Sequence, residues 1–125
     1  MSRILDDKIQ IELNEQKYQA RFDLLCVAEL QYYLKTRGCP MTVPQIFEGI
    51  QNEDYFVICN LLAFAIKSCN PSLKLVDLYY NMKFANRSEV QMAVINLINA
   101  SMPKNENEGE NEVDLPTEQK EDEGK

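Results

Sequence analysis

Tyr55-Phe56-Val57-Ile58-Cys59-Asn60-Leu61-Leu62-Ala63-Phe64-Ala65-Ile66-Lys67-Ser68 is the stretch around which the rest of the chain must pack. Only Asn60, Lys67 and Ser68 in it are clearly polar. Wound as a helix, it has apolar residues on nearly every side, and such a helix is buried on more than one side. A membrane span needs about 20 apolar residues, and this run falls short of that. It reads as the central helix of a small soluble domain, with more amphipathic segments laid onto it.

Upstream of it, Gln51, Asn52, Glu53 and Asp54 form a lead-in, where Asn52 or Asp54 can cap the helix and the acids suit its positive end. Before that, Thr42 with Gln45 three residues on has capping-box spacing, and Pro44 sits in the first turn, where its missing N–H costs little. This predicts a short helix over 43–50 with Ile46, Phe47 and Ile50 inward. Further back, Asp23 as N-cap and Gly38 as stop bracket a helix over 24–36. Its core stripe is Cys26, Val27, Leu30, Tyr33 and Leu34.

The chain opens with a different periodicity. Ile9, Ile11 and Leu13 alternate with Lys8, Gln10 and Glu12, and Tyr18, Ala20 and Phe22 alternate with Lys17, Gln19 and Arg21. Two period-2 runs across an Asn14-containing turn predict a β-hairpin. A lone hairpin is marginal in water, so its apolar face must lie on the helices or its edge must pair with another chain.

Downstream of the central stretch, Pro71 ends the helix, and Leu75, Leu78, Tyr79 and Met82 predict another over 73–83. Asn86 and Glu89 repeat the capping-box spacing ahead of a helix over 90–101 carrying Val90, Ala93, Val94, Leu97 and Ile98. The expected fold is α+β, mainly α: an N-terminal β-hairpin, then a compact bundle of about five helices. Residues 1–7 are expected to be a flexible N-terminus, 8–102 the hairpin plus helical domain, and 103–125 a disordered acidic tail.

The charge is unevenly distributed. Residues 103–125 hold nine acids and three bases, whereas residues 1–102 hold eleven acids and ten bases. The net charge of −7 therefore belongs almost wholly to the tail. That tail has two aliphatic residues, Val113 and Leu115, and no aromatics, too little apolar surface to offset the entropy of ordering it. It serves either as a solubilising terminus or as a screen or mimic of a basic partner. Scattered bases outnumbered by acids argue against nucleic acid and against membrane surfaces as partners. Residues 1–10 contain no apolar run of the signal-peptide kind, so a cytoplasmic setting is expected.

No catalytic constellation emerges. The chain has no histidine, which removes Ser-His and Cys-His couples and the common zinc patterns. Its four cysteines, Cys26, Cys39, Cys59 and Cys69, include no C-x-x-C pair and are read as reduced structural thiols. No glycine-rich phosphate loop is present, and no cofactor or metal is expected. Cys39, between Gly38 and Pro40, is the sole candidate nucleophile for a small enzyme, the last-ranked reading.

What remains is surface. Helix neighbours point about 100° apart. In the pairs Tyr32-Tyr33 and Tyr79-Tyr80, the stripes take Tyr33 and Tyr79 inward and leave Tyr32 near Leu25 and Glu29, and Tyr80 near Val76 and Phe84. Such rim tyrosines either cover the edge of a small core or anchor a partner. The candidate partner-binding residues are Tyr32, Tyr80, Phe84, Val76 and Ile50.

The order of elements carries a resemblance. The hairpin Lys8-Ile9-Gln10-Ile11-Glu12-Leu13-Asn14-Glu15-Gln16-Lys17-Tyr18-Gln19-Ala20-Arg21 runs into Phe22-Asp23 and straight into a helix with Leu24 and Leu30. A break at Gly38, a short Ile46-Phe47 helix, the long apolar helix and an acidic C-terminus follow. Over roughly residues 8–83 this pattern of hydrophobic residues, with no catalytic signature in it, resembles the small tail assembly chaperones of tailed bacteriophages and prophage-derived tail-like particles. Where that family typically has an Asn-Gly turn, this chain has Asn14-Glu15, which makes a type I′ turn costlier.

The resemblance implies a non-enzymatic assembly factor. It would bind the tape measure protein and keep it soluble, help recruit tail tube protein, and be absent from the mature particle, acting in the cytoplasm of the bacterial host. A homo-oligomer formed through the hairpin edge fits the same picture. The alternative is a helical adaptor or regulatory module that grips a different protein through the same helical surface.

Overall fold

The computed structural model describes residues 8–102. The expectations of a flexible segment over 1–7 and a disordered acidic tail over 103–125 lie outside the described residues. The chain is α+β and mainly helical. Strands β1 (Ile9–Leu13) and β2 (Gln16–Ala20) are followed by α1 (Leu24–Thr36), α2 (Val43–Gln51), α3 (Tyr55–Cys69), α4 (Leu75–Tyr79), a 3₁₀ turn (Phe84–Asn86) and α5 (Arg87–Ser101).

α3 is central because its apolar residues leave no face for water. Val57, Ile58, Leu61, Leu62, Ala63, Ala65 and Ile66 are all buried, and α3 packs against β2 and each of the other four α-helices. Fully burying a Leu or Ile side chain stabilises by about 1.5–3 kcal/mol, so this helix supplies much of the driving force for folding. Asp54 caps it, its carboxylate accepting from Phe56 N–H at 3.1 Å. Asn60 is the one buried polar side chain among the described residues. It donates through Nδ2 to the Phe56 carbonyl at 2.7 Å, and its Oδ1 accepts from the Tyr79 hydroxyl, tying α4 to α3.

The hairpin is antiparallel, pairing Ile9 with Ala20 and Leu13 with Gln16. The two-residue turn puts Asn14 at φ 51° and Glu15 at φ 69°, the type I′ signature. Holding Glu15 in the left-handed region costs roughly 1 kcal/mol. Contacts with distant segments hold the turn in place: Asn14 N–H donates to Glu89 Oε1 on α5 at 2.9 Å, and Asn81 Nδ2 donates to the Tyr18 hydroxyl at 2.7 Å. At its other end the hairpin is fastened to α3, with Arg21 N–H donating to the Ala65 carbonyl at 3.1 Å. Ile11, Leu13, Ala20 and Phe22 are buried, so the apolar face lies on the helices.

α1 begins and ends where its sequence signals stand. Asp23 accepts from Cys26 N–H at 2.9 Å. At the other end Gly38 adopts φ 83°, while Gly38 N–H donates to Lys35 and Cys39 N–H to Leu34, the paired bonds of a Schellman cap. The Thr42–Gln45 capping box of α2 forms as expected.

Three expectations about the helices need correction, the first being that the helix expected over 90–101 already begins at Arg87. The helix expected over 73–83 is only Leu75–Tyr79. Lys67 Nζ donates to the Pro71 and Leu73 carbonyls, holding that segment in a turn, and Asn81 is drawn towards the hairpin. The Asn86–Glu89 capping box does not form at α5. Asn86 Oδ1 instead accepts from Lys83 N–H, and Glu89 receives the hairpin turn.

Gly49 sets the approach of α2 to α3: a Cβ there would stand 2.9 Å from Val57 Cγ2. Gly49→Ala should improve helix propensity by up to about 1 kcal/mol yet lose about 1–3 kcal/mol to overpacking, so a net loss is expected. Urea titration checks this. Val57→Ala should cost less in the Gly49→Ala background than in the wild type, and equal costs would show that the two positions are not coupled.

Candidate protein-binding groove

The groove is a consequence of α1 having more apolar residues than the core can accept. Leu24, Leu25, Cys26, Val27 and Ala28 run consecutively, and successive helix residues point about 100° apart. The core takes Cys26 and Val27, with Leu30 and Leu34 further along. Leu24 is left 85% exposed and Leu25 66% exposed, with Ala28 outside as well. Tyr32 continues this outer stripe at 71% exposure.

Between that stripe, the exit of the hairpin and the last turns of α3 lies an open groove of about 630 Å³. Leu25, Ala28, Tyr32, Tyr33, Phe64 and Pro71 supply its apolar surface. Tyr33 and Phe64 pack with ring centres 5.3 Å apart, and Arg37 stands over the Tyr33 ring at 5.6 Å.

Three polar residues of the lining serve the fold. Asp23 caps α1, Ser68 Oγ bonds to the Ala65 and Arg21 carbonyls, and Lys67 ties down the Pro71 turn. Among the described residues, no group of three or more His, Cys, Asp or Glu could hold a metal ion. No helix among them is long and apolar enough to cross a membrane.

The structure separates the candidate partner-binding residues. Tyr32 lines the groove beside Leu25 and Glu29, as expected. Tyr80, Val76 and Phe84 are exposed, at 71%, 50% and 80%, but none of them lines the groove. They lie on α4, just after it and in the 3₁₀ turn, where Arg87 stands 4.1 Å over the Phe84 ring. Ile50 must be corrected: it is buried, in the core with Ile46, because the stripe that faces α3 carries both. Leu24, Leu25, Ala28 and Phe64 were not among the expected binding residues. The signal that could have found them is the five-residue apolar run opening α1, too long for a single face.

Of the four cysteines, Cys26 borders the groove but is buried. Burial pushes the Cys26 thiol from its ordinary 9.0 up to about 12 and raises Cys59 as well. Burial also raises the Tyr79 hydroxyl, beside Tyr33. Cys39 is half-buried, with its backbone engaged in the cap of α1. Because the folded pKa of Cys26 is raised, its contribution to stability is complete below pH 9.0 and is lost as pH climbs towards about 12. Between pH 8 and 10 the wild type should lose roughly 1 kcal/mol more than Cys26→Ala, read from urea midpoints. Equal losses would show that the thiol is not protected.

Searches against protein-family models, curated proteins and solved structures found no match to this chain.

Proposed function

We propose that this protein is a non-enzymatic tail assembly chaperone that holds an amphipathic helix of a tape measure protein in the α1 groove. The observation that carries the reading is the unpartnered outer stripe of α1, with Leu24, Leu25 and Tyr32 exposed beside an apolar floor. A helix laid into such a groove buries anchors at i, i+3/i+4 and i+7 spacing, which asks for apolar surface and few fixed polar groups. Recruitment of tail tube protein and departure before the particle matures belong to the same proposal, as does action in the host cytoplasm. The resemblance in the order of elements selects a tape measure protein as client over other amphipathic helices.

Co-expression with a tape measure protein encoded in the same gene cluster tests the reading. The client's soluble fraction should rise severalfold, and the two should co-purify. If the client stays insoluble and nothing co-purifies, the proposal fails. Stable capture of a different protein in place of the tape measure protein would favour the adaptor alternative.

A further inference from the structure

We propose that two copies of this chain associate through the outer edge of β1, antiparallel about a twofold axis at Gln10, so that the two hairpins join into one four-stranded sheet. The inference goes beyond the client reading and does not depend on the groove.

The hairpin register shows which backbone groups are left for such a contact. Leu13 and Gln16 close the two-residue turn, so Leu13, Ile11 and Ile9 turn their N–H and C=O groups towards β2. Lys8, Gln10 and Glu12 turn theirs the other way, out of the hairpin. On the β2 side, the end of α3 takes up outward groups of this kind. The Gln19 carbonyl accepts from Asn70 Nδ2 at 3.0 Å, Arg21 N–H donates to the Ala65 carbonyl at 3.1 Å, and the Arg21 carbonyl accepts from Ser68 Oγ at 3.2 Å. On the β1 side, no hydrogen bond among the described residues reaches the N–H or C=O of Lys8, Gln10 or Glu12. The far half of the β2 edge is therefore covered by the chain's own α3, whereas β1 offers an open row. Such a row is a template for another strand, and a two-stranded sheet gains stability when strands are added.

The order of residues along β1 selects a second copy as that strand. About a twofold axis at Gln10, Lys8 stands opposite Glu12 of the second copy, Gln10 opposite Gln10, and Glu12 opposite Lys8. All three are pairs of the hydrogen-bonded kind, in which the two residues exchange both N–H···O bonds, so every outward group of these residues is satisfied. The side chains of Lys8, Gln10 and Glu12 are exposed on the face away from the helices, where directly opposite charges attract. Glu12 then lies between Lys17, its partner across the hairpin, and Lys8 of the second copy. On the other face Ile9, half-buried in the single chain, meets Ile11 of the second copy. Sliding one chain by two residues separates Lys8 from Glu12 and leaves outward groups unpaired. A parallel, in-register pairing sets like charges side by side. The self-complementary order Lys8, Gln10, Glu12 is what an isologous contact requires.

The test is sedimentation velocity on the full chain over about 10 µM to 1 mM, the range expected of a small, transient contact. The wild type should pass from the 14.5 kDa monomer to a species of twice that mass. Glu12→Lys alone sets Lys against Lys, and Lys8→Glu alone sets Glu against Glu, at both symmetric positions, so each should raise the dimer Kd about tenfold. Mixing the two variants restores opposite charges at both positions, and the mixture should dimerise within about threefold of the wild type. Gln10→Pro removes an N–H that faces out of the hairpin, a place where an edge strand tolerates proline. It should abolish the dimer while the far-ultraviolet circular dichroism stays that of the wild type. A wild type that remains monomeric throughout the range would overturn the proposal. So would a dimer that Gln10→Pro leaves intact, since it must form elsewhere. Single-charge variants that each dimerise like the wild type, or a mixture no better than its components, overturn the register and the proposal with it. A Gln10 amide signal that shifts on adding tape measure protein but not with the chain's own concentration would give the edge to the client, also overturning it.

Discussion

Leu61→Ala should lower the stability of the folded chain by about 3 kcal/mol and its Tm by roughly 15 °C. Leu61 is fully buried on α3, the helix that packs against β2 and against all four other helices. Truncating it removes the transfer free energy of three carbons and leaves a void in the close-packed surroundings of α3. Surroundings able to relax would reduce the cost to about 2 kcal/mol, and rigid ones raise it towards 5. A domain of this size is stabilised by only about 5–15 kcal/mol, so the variant should sit near the edge of folding at physiological temperature. Urea titration gives the check. The midpoint should fall with an unchanged slope, since the same surface is exposed on unfolding. A loss below about 1 kcal/mol would mean that α3 is not the packing centre.

Leu25→Ser combined with Tyr32→Ser should weaken binding of the tape measure protein by about a hundredfold, equivalent to about 3 kcal/mol. Both residues line the groove and both are exposed in the free chain, so their removal subtracts from the interface without opening a core cavity. Tyrosine is favoured at such positions because it buries a rigid ring while its hydroxyl stays wet. The matched control is Tyr80→Ser with Phe84→Ser, equally exposed but outside the groove, which should change affinity less than threefold. Surface substitutions of this sort move stability by only about 0.5 kcal/mol, so circular dichroism melts should leave both pairs near the wild type. If the Tyr80 and Phe84 pair proves the damaging one, the binding surface lies at α4 and the 3₁₀ turn, and the groove assignment is wrong.

Much of this fold is local chemistry written along the chain. The alternation in residues 8–22, Asp23 and Gly38 bracketing α1, the Thr42–Gln45 box and the all-round apolar character of α3 are each decided by residues within a turn or two of one another. Periodicity and capping are short-range effects, so reading them needs no knowledge of the partner surface.

The tertiary structure decided everything that depends on competition between distant groups. Whether Glu89 caps its own helix or takes the N–H of Asn14, 75 positions away, depends on where the hairpin turn lands. The early end of α4 follows from the pull of Tyr18 and Asn14 on Asn81 and from Lys67 holding the Pro71–Leu73 carbonyls. The candidate site divides in the same way. That one tyrosine of each pair lies outside follows from helical spacing. That Tyr32 borders a groove and Tyr80 does not depends on what the neighbouring elements cover, and that α1 has spare apolar surface depends on how much of it the core can accept. Spacing along a helix fixes direction, but burial is a property of the finished packing, in which each element's share depends on all the others.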